Sequence, residues 1–189
     1  FGLLGAGAFD LAAKALTVPD LGTSSSAEMQ VMGMLTLTSS LVAAASGDRT
    51  RQAAALDHAA DLAEKAGEGN ALWFGFGPSN VGVWRMSVAL EAGDHAEAAR
   101  IATMVNPLAL PSPTRQSAYW REYGRALARL PRRQDEAVLA LRRAELISPA
   151  RIHRHPFMRS VLAEMMVRAK RDAVGRELRG MAYRAGLPV

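Results

Sequence analysis

Leu90-Glu91-Ala92-Gly93-Asp94-His95-Ala96-Glu97-Ala98 and Leu130-Pro131-Arg132-Arg133-Gln134-Asp135-Glu136-Ala137 decide the fold. Each stretch leaves an apolar helix end, crosses a short turn, and re-enters with Asp or His, a small or acidic residue, Glu and Ala. Each is followed by a proline stop, Val105-Asn106-Pro107 in the first copy and Ile147-Ser148-Pro149 in the second. Glu97 and Glu136 lie 39 positions apart, and Arg49 to Ala66 reads as a weaker third copy upstream.

A helix, a short turn and a second helix, with small residues where the two touch, make the tetratricopeptide pattern, whose standard period is about 34 residues. The copies here therefore carry longer loops. One hairpin cannot bury both of its faces, whereas stacked hairpins share a continuous core and a concave surface. Ala98 and Ala137 are expected at the close approaches within hairpins. The fold expected is all-α, a tetratricopeptide-like stack of hairpins (an α-solenoid), with residues 1–189 as one array. The clearest hairpins are 27–66, 80–105, 115–147 and 156–186.

Working outward, alanine is abundant and apolar residues recur every three and four positions, which is helical spacing. Leu3 to Leu16 reads as a helix stopped near Pro19, and Leu21 to Ser26 as a loop. Ser25 and Glu28 form a capping-box pair before a helix from Ala27 to Ala45. Gly47-Asp48 turns the chain into Arg49–Lys65, and so short a connection makes the two helices antiparallel. Gly67 to Ser79 is irregular, with Trp73, Phe74 and Phe76 among glycines, and Ser79 or Asn80 is placed to cap the next helix. Asp94 and Glu97 make a second capping-box-like pair ahead of a helix to Val105. Arg115–Leu130 carries Tyr119, Tyr123, Ala126 and Leu130 on one stripe, and Gln134–Ile147 carries Ala137, Ala140, Leu141 and Ala144. Pro156–Lys170, with Met158, Leu162, Met165 and Met166 inward, and Asp172–Ala185 complete the reading.

Composition bounds the function. The chain is 49% hydrophobic and 22% charged over 189 residues, a globular balance. It has no cysteine, which removes disulfide and thiol-zinc chemistry and fits a reducing compartment. No signal peptide is visible, and the softest stretch, Val31 to Ser46, is too short and too polar to span a bilayer. A cytoplasmic protein with no membrane partner is expected. Residues 1–80 hold four Lys/Arg against eight Asp/Glu, and residues 81–189 hold nineteen against ten, nearly all arginine. Such a half suits acidic partners or nucleic acid, or equally a set of solvated helix faces.

Phe76-Gly77-Pro78-Ser79-Asn80-Val81, Trp84-Arg85-Met86-Ser87-Val88-Ala89 and Gly93-Asp94 resemble a stretch of actinobacterial transcriptional regulators. These carry an N-terminal helix-turn-helix of the XRE (phage-repressor-like) type followed by tetratricopeptide-like repeats. Leu110-Pro111-Ser112, Tyr119-Trp120, Gly124-Arg125-Ala126, Asp135-Glu136-Ala137, Ser148-Pro149, His155-Pro156 and Leu178-Arg179-Gly180-Met181-Ala182 are similar too. The resemblance covers roughly residues 70 to 185 and implies a C-terminal sensor domain. DNA would then be bound only by a domain preceding Phe1, and the first residue, Phe rather than Met, fits a fragment.

Catalytic motifs are lacking. Carboxylates are scattered along helix faces, no Gly-x-Ser-x-Gly elbow occurs, and Gly5-Ala6-Gly7 and Gly75-Phe76-Gly77 follow no strand. His153-Arg154-His155 lacks the further ligands a metal needs, and His155-Pro156 reads as a helix start. The expectation is a non-enzymatic protein with no metal and no cofactor. Its partner would be a peptide, a small signal molecule or another protein, a second copy of the chain included. In the binding reading, Asn80, Trp84, Tyr119 and Tyr123 line a groove, with Arg85, Arg115 or Arg121 meeting an anionic group. The structural alternatives are a helix cap for Asn80, core packing for the aromatics and solvated surface for the arginines.

Overall fold

The computed structural model describes residue 3, residues 6–17 and residues 22–188. Among the described residues there are ten α-helices and no strand. They are α1 (Phe9–Ala15), α2 (Ser26–Ala45), α3 (Arg49–Ala66), α4 (Pro78–Glu91), α5 (His95–Ala102), α6 (Pro113–Arg129), α7 (Gln134–Ile147), α8 (Ala150–His153), α9 (Pro156–Met166) and α10 (Ala173–Arg184). Single 3₁₀ turns occupy Ala71–Trp73 and Pro107–Ala109. No helix among the described residues is long and apolar enough to cross a membrane. The chain divides into two compact units, 1–84 and 85–189.

In the first unit α2 and α3 form the principal hairpin and α1 packs on α2. Of the helix expected from Leu3 to Leu16, Leu3 itself is helical, residues 6 and 7 form a turn with Gly7 at φ 71°, and α1 begins at Phe9. The expected stop at Pro19 and the loop start at Leu21 lie outside the described residues. The capping box forms as expected: Ser25 Oγ accepts from the Glu28 N–H, and the Glu28 carboxylate accepts from the Ser25 N–H. The Ser24 hydroxyl, donating to the Glu28 carboxylate at 2.7 Å, and then the Ser25 N–H hold that carboxyl below its ordinary range. Leu37, Leu56, Ala59, Leu62 and Ala63 make the hairpin core. The loop after α3 returns to it through Phe76, which is fully buried. Gln30 of α2 accepts from the Ala71 N–H (2.9 Å), and Glu68 accepts from the Ser79 N–H (2.8 Å).

In the second unit α6 and α7 form the principal hairpin, α5 packs on α6, and α10 packs on both α7 and α9. Ala98 of α5 and Ala137 of α7 are fully buried, and a Cβ at Gly124 of α6 would meet Leu141 of α7 at 2.6 Å, so the α6–α7 hairpin closes on Gly124 and Ala137. Asp94 Oδ1 accepts from the Glu97 N–H, but the Glu97 carboxylate binds Arg100 rather than returning to the cap, so only half of the expected box forms.

The turns show which copies are alike. After α2, Gly47 (φ 81°) donates to the Ala44 carbonyl and Asp48 to that of Ala43. After α4, Gly93 (φ 79°) donates to Leu90 and Asp94 to Ala89. Both are glycine-closed helix ends of the Schellman type, followed by an aspartate cap. The turn at 130–133 is built differently, with Arg132 at φ 61° and no side-chain cap on α7. The pair that looks most alike in sequence, 90–98 and 130–137, is thus less alike in backbone than the pair at Gly47 and Gly93.

Candidate functional site

α6 organises the second unit's polar and aromatic face. Pro113 sits in its first turn with φ already suited to a helix, and Ser112 Oγ accepts from the Arg115 N–H at 3.4 Å. Its buried stripe includes Ser117, Tyr119, Gly124, Ala126 and Leu127. Ser117 Oγ donates to the Ala144 carbonyl at 3.0 Å, which sets the start of α6 against the end of α7.

Tyr119 is buried, and its hydroxyl donates to the Ala102 carbonyl at 3.1 Å, tying α6 to the end of α5. Its ring meets Trp120 edge-on at 4.9 Å and Tyr123 tilted at 6.1 Å. Burial pushes the Tyr119 phenol above its ordinary range, Tyr123 adds to this, and Arg143 opposes it. Arg143 of α7 lies over the half-buried Trp120 ring, 4.6 Å from its centre. Tyr119 is therefore a strut, while Trp120, Tyr123 and Arg143 form the accessible part of the cluster.

Of the arginines singled out from the sequence, Arg85 and Arg115 are half-buried in this unit. Burial, and then the Arg151 charge, lower the Arg115 guanidinium from its ordinary value. Arg121 already has its anion: its guanidinium meets Glu122 Oε1 at 2.5 Å.

Asn80 and Trp84 belong to the first unit. Asn80 does not cap α4, because Pro78 opens that helix two residues earlier. It is fully buried, and its Nδ2 donates to Met34 Sδ at 3.3 Å. Asn80 Oδ1 and Trp84 Nε1 are buried polar atoms without a hydrogen-bond partner among the described residues. Phe76 packs in the core, whereas Leu72, Trp73 and Phe74 are exposed, Trp73 by 89%.

Two buried carboxylates escape the sequence reading. Glu122 is 2% exposed and is held by Arg121 and by Arg125 Nη1 at 2.6 Å. Arg125 also reaches Glu91 at 3.4 Å and lies 5.6 Å from the centre of the Phe157 ring. Glu145, also 2% exposed, is held by Arg142 at 2.5 Å, His153 Nε2 at 2.6 Å and Arg184 at 2.8 Å. Burial alone raises the Glu145 carboxyl; hydrogen bonds from Arg184, His153 and Arg142 overturn that and bring it to about 2. The spacings Glu122–Arg125 and Arg142–Glu145 were readable as helical pairs, but their burial was not.

His153 and His155 take different partners. His153 meets Glu145, while His155 precedes α9 with its ring 5.7 Å from Phe157. Burial, then Arg121, lower His155 from its ordinary value; Glu122 opposes, and Arg125 and Arg151 add to the lowering. The arrangement as a whole is suited to holding planar and anionic groups, through stacked rings and guanidinium forks. Compared with protein-family models, curated proteins and solved structures, the chain matches none.

Proposed function

We propose that the chain is a non-enzymatic binding domain, a sensor that takes a peptide, small signal molecule or partner protein on its helical-hairpin surface. Stacked hairpins commonly present such a surface through their first helices. The observation that carries this reading is the α6 face, where Trp120, Tyr123, Arg115 and Arg143 combine rings with guanidinium groups. The resemblance to XRE-type regulators supplies the biological role. Ligand binding would bias DNA binding by an attached helix-turn-helix domain, which requires different affinities for the ligand in the two states. A cytoplasmic setting belongs to the same proposal.

Titrating peptides and metabolites against tryptophan fluorescence tests the binding role. Operator affinity of the protein carrying the helix-turn-helix, with and without a tight ligand, tests the regulatory one. Unchanged operator affinity with ligand bound would remove the regulatory role.

A second reading, a dimerisation module without a small ligand, is favoured by one observation. Leu72 and Trp73 are exposed and both hold positive φ (49° and 63°), a conformation in which residues with side chains are strained. Sedimentation across a concentration series separates the readings.

A further inference from the structure

A cavity of about 120 Å³ lies in the first unit, where α1 meets the last turns of α2 and the start of α3. It brings together side chains of opposite charge, Asp10 from α1 and Arg51 from the first turn of α3. Leu16, Val42 and Ala43 form the apolar part of its wall, and Ser39 of α2 adds a hydroxyl.

The charged ends of this cavity are not engaged. Asp10 and Arg51 are exposed, and among the described residues neither side chain has an ion pair or a hydrogen bond, with each other or with any other group. Lys14, one turn beyond Asp10 on α1, does not pair with it either. Opposite charges that line one cavity without pairing give it an anionic end and a cationic end, each able to attract its counterpart. Ser39 carries a third available group. The other hydroxyls of α2 are spent on backbone carbonyls, Ser26 on Ala66, Thr36 on Met32, Thr38 on Met34 and Ser40 on Leu37. At the cavity edge, Thr17 donates to Ala13 and Ser46 to Ala43. Half-buried Ser39 has no such bond among the described residues, and it is the hydroxyl within α2 that lines the cavity.

Size narrows the ligand. An apolar cavity of about 150 Å³ holds one benzene molecule. At about 120 Å³ this cavity takes a molecule of on the order of six to eight non-hydrogen atoms, too few for a peptide or a nucleotide. We infer that the cavity is a binding site for a free, small zwitterionic amino acid. Arg51 meets its carboxylate, Asp10 meets its ammonium group, Ser39 adds a hydrogen bond, and a short aliphatic side chain lies against Leu16 and Val42. A ligand carrying one charge alone leaves the opposite end of the cavity unsatisfied. The site belongs to the first unit and shares no residue with the α6 face.

The test is calorimetric titration of the full chain at pH 7 with L-valine and with two analogues that each keep one of its charges, L-valinamide and 3-methylbutanoate. Saturable one-to-one binding of L-valine is expected, at least ten-fold tighter than that of either analogue. Asp10→Asn and Arg51→Gln change exposed residues and should each weaken L-valine binding at least ten-fold. Arg49→Gln, at an exposed position of the same helix as Arg51 but outside the cavity wall, should leave it unchanged. In NMR, L-valine should shift the Val42 methyl signals and leave those of Val138, in the second unit, in place. The site is overturned by any of three results: no saturable L-valine binding by the folded wild-type chain, analogues that bind as tightly as L-valine, or Asp10→Asn and Arg51→Gln variants that bind as wild type does. L-valine binding that moves Val138 and not Val42 overturns it too. In each case the α6 reading stands or falls on its own fluorescence titration.

Discussion

Gly33 of α2 lies flat against the Phe76 ring, so that a Cβ on Gly33 would meet Phe76 Cζ at 2.0 Å. The contact explains how a glycine-rich loop is held. Phe76 fills the space that Gly33 leaves, and the loop on either side is fastened to Gln30 and Glu68.

Gly33→Ala should destabilise the chain although it raises intrinsic helix propensity. Propensity favours alanine by about 1 kcal/mol, whereas overpacking in a closed core costs typically 1–3 kcal/mol. A ring contact as close as 2.0 Å puts this site at the upper end, so a net loss of about 1–2 kcal/mol is expected in urea melts. Phe76→Leu in the same chain should recover part of it. A Gly33→Ala variant as stable as wild type would show that Phe76 does not sit there.

Glu145 should govern acid stability of the second unit. Its carboxyl is held at about 2, below its ordinary 4.5, so folding favours the ionised form. The contribution is fully present above about pH 4.5 and is lost as pH falls toward 2. Removing one partner of a buried ion pair costs about 3–5 kcal/mol. Glu145→Gln should therefore cost about that much at pH 7 and progressively less below pH 4. Equal costs in melts at pH 7 and pH 2.5 would contradict the arrangement.

Trp73 should be dispensable for folding. At 89% exposure, Trp73→Ser should change stability by less than about 0.5 kcal/mol. If the chain self-associates through this loop, the same substitution should shift sedimentation toward the monomer. A large loss of stability in the monomer would mean that the ring packs in the core.

Much of the helical layout was legible because local signals set it. α7 runs over Gln134–Ile147 as expected, and the Ser25–Glu28 box forms as written. Helix ends fixed by subtler bonding were less legible. α5 stops at Ala102 instead of Val105, where Thr103, Met104 and Val105 each donate three residues back and the Thr103 hydroxyl takes the Arg100 carbonyl. α9 ends at Met166 instead of Lys170 for a similar reason, with Arg168 and Ala169 bonded three residues back. The short helix α8 (Ala150–His153) was not legible, and only its last residue falls in the His153-Arg154-His155 run.

The candidate site was legible only in its residue types. Tyr119, Tyr123 and Arg115 fall on α6 as the periodicity requires, but that Tyr119 would act as a strut depends on the Ala102 carbonyl of another helix. Burial of Glu122 and Glu145 depends on tertiary packing, and Arg184 reaches Glu145 from 39 positions away, beyond any local pattern.

The central claim, that the α6 face binds a ligand, is tested most directly through Trp120 alone. The chain has three tryptophans, so Trp73→Phe with Trp84→Phe leaves Trp120 as the one reporter, with the Arg143 guanidinium over its ring. Titration with peptides and metabolites should give a saturable change in Trp120 emission, weakened by Tyr123→Ala and by Arg115→Gln. Emission that stays constant while a ligand is shown calorimetrically to bind, or a response that both substitutions leave intact, would place the binding surface elsewhere and contradict the account.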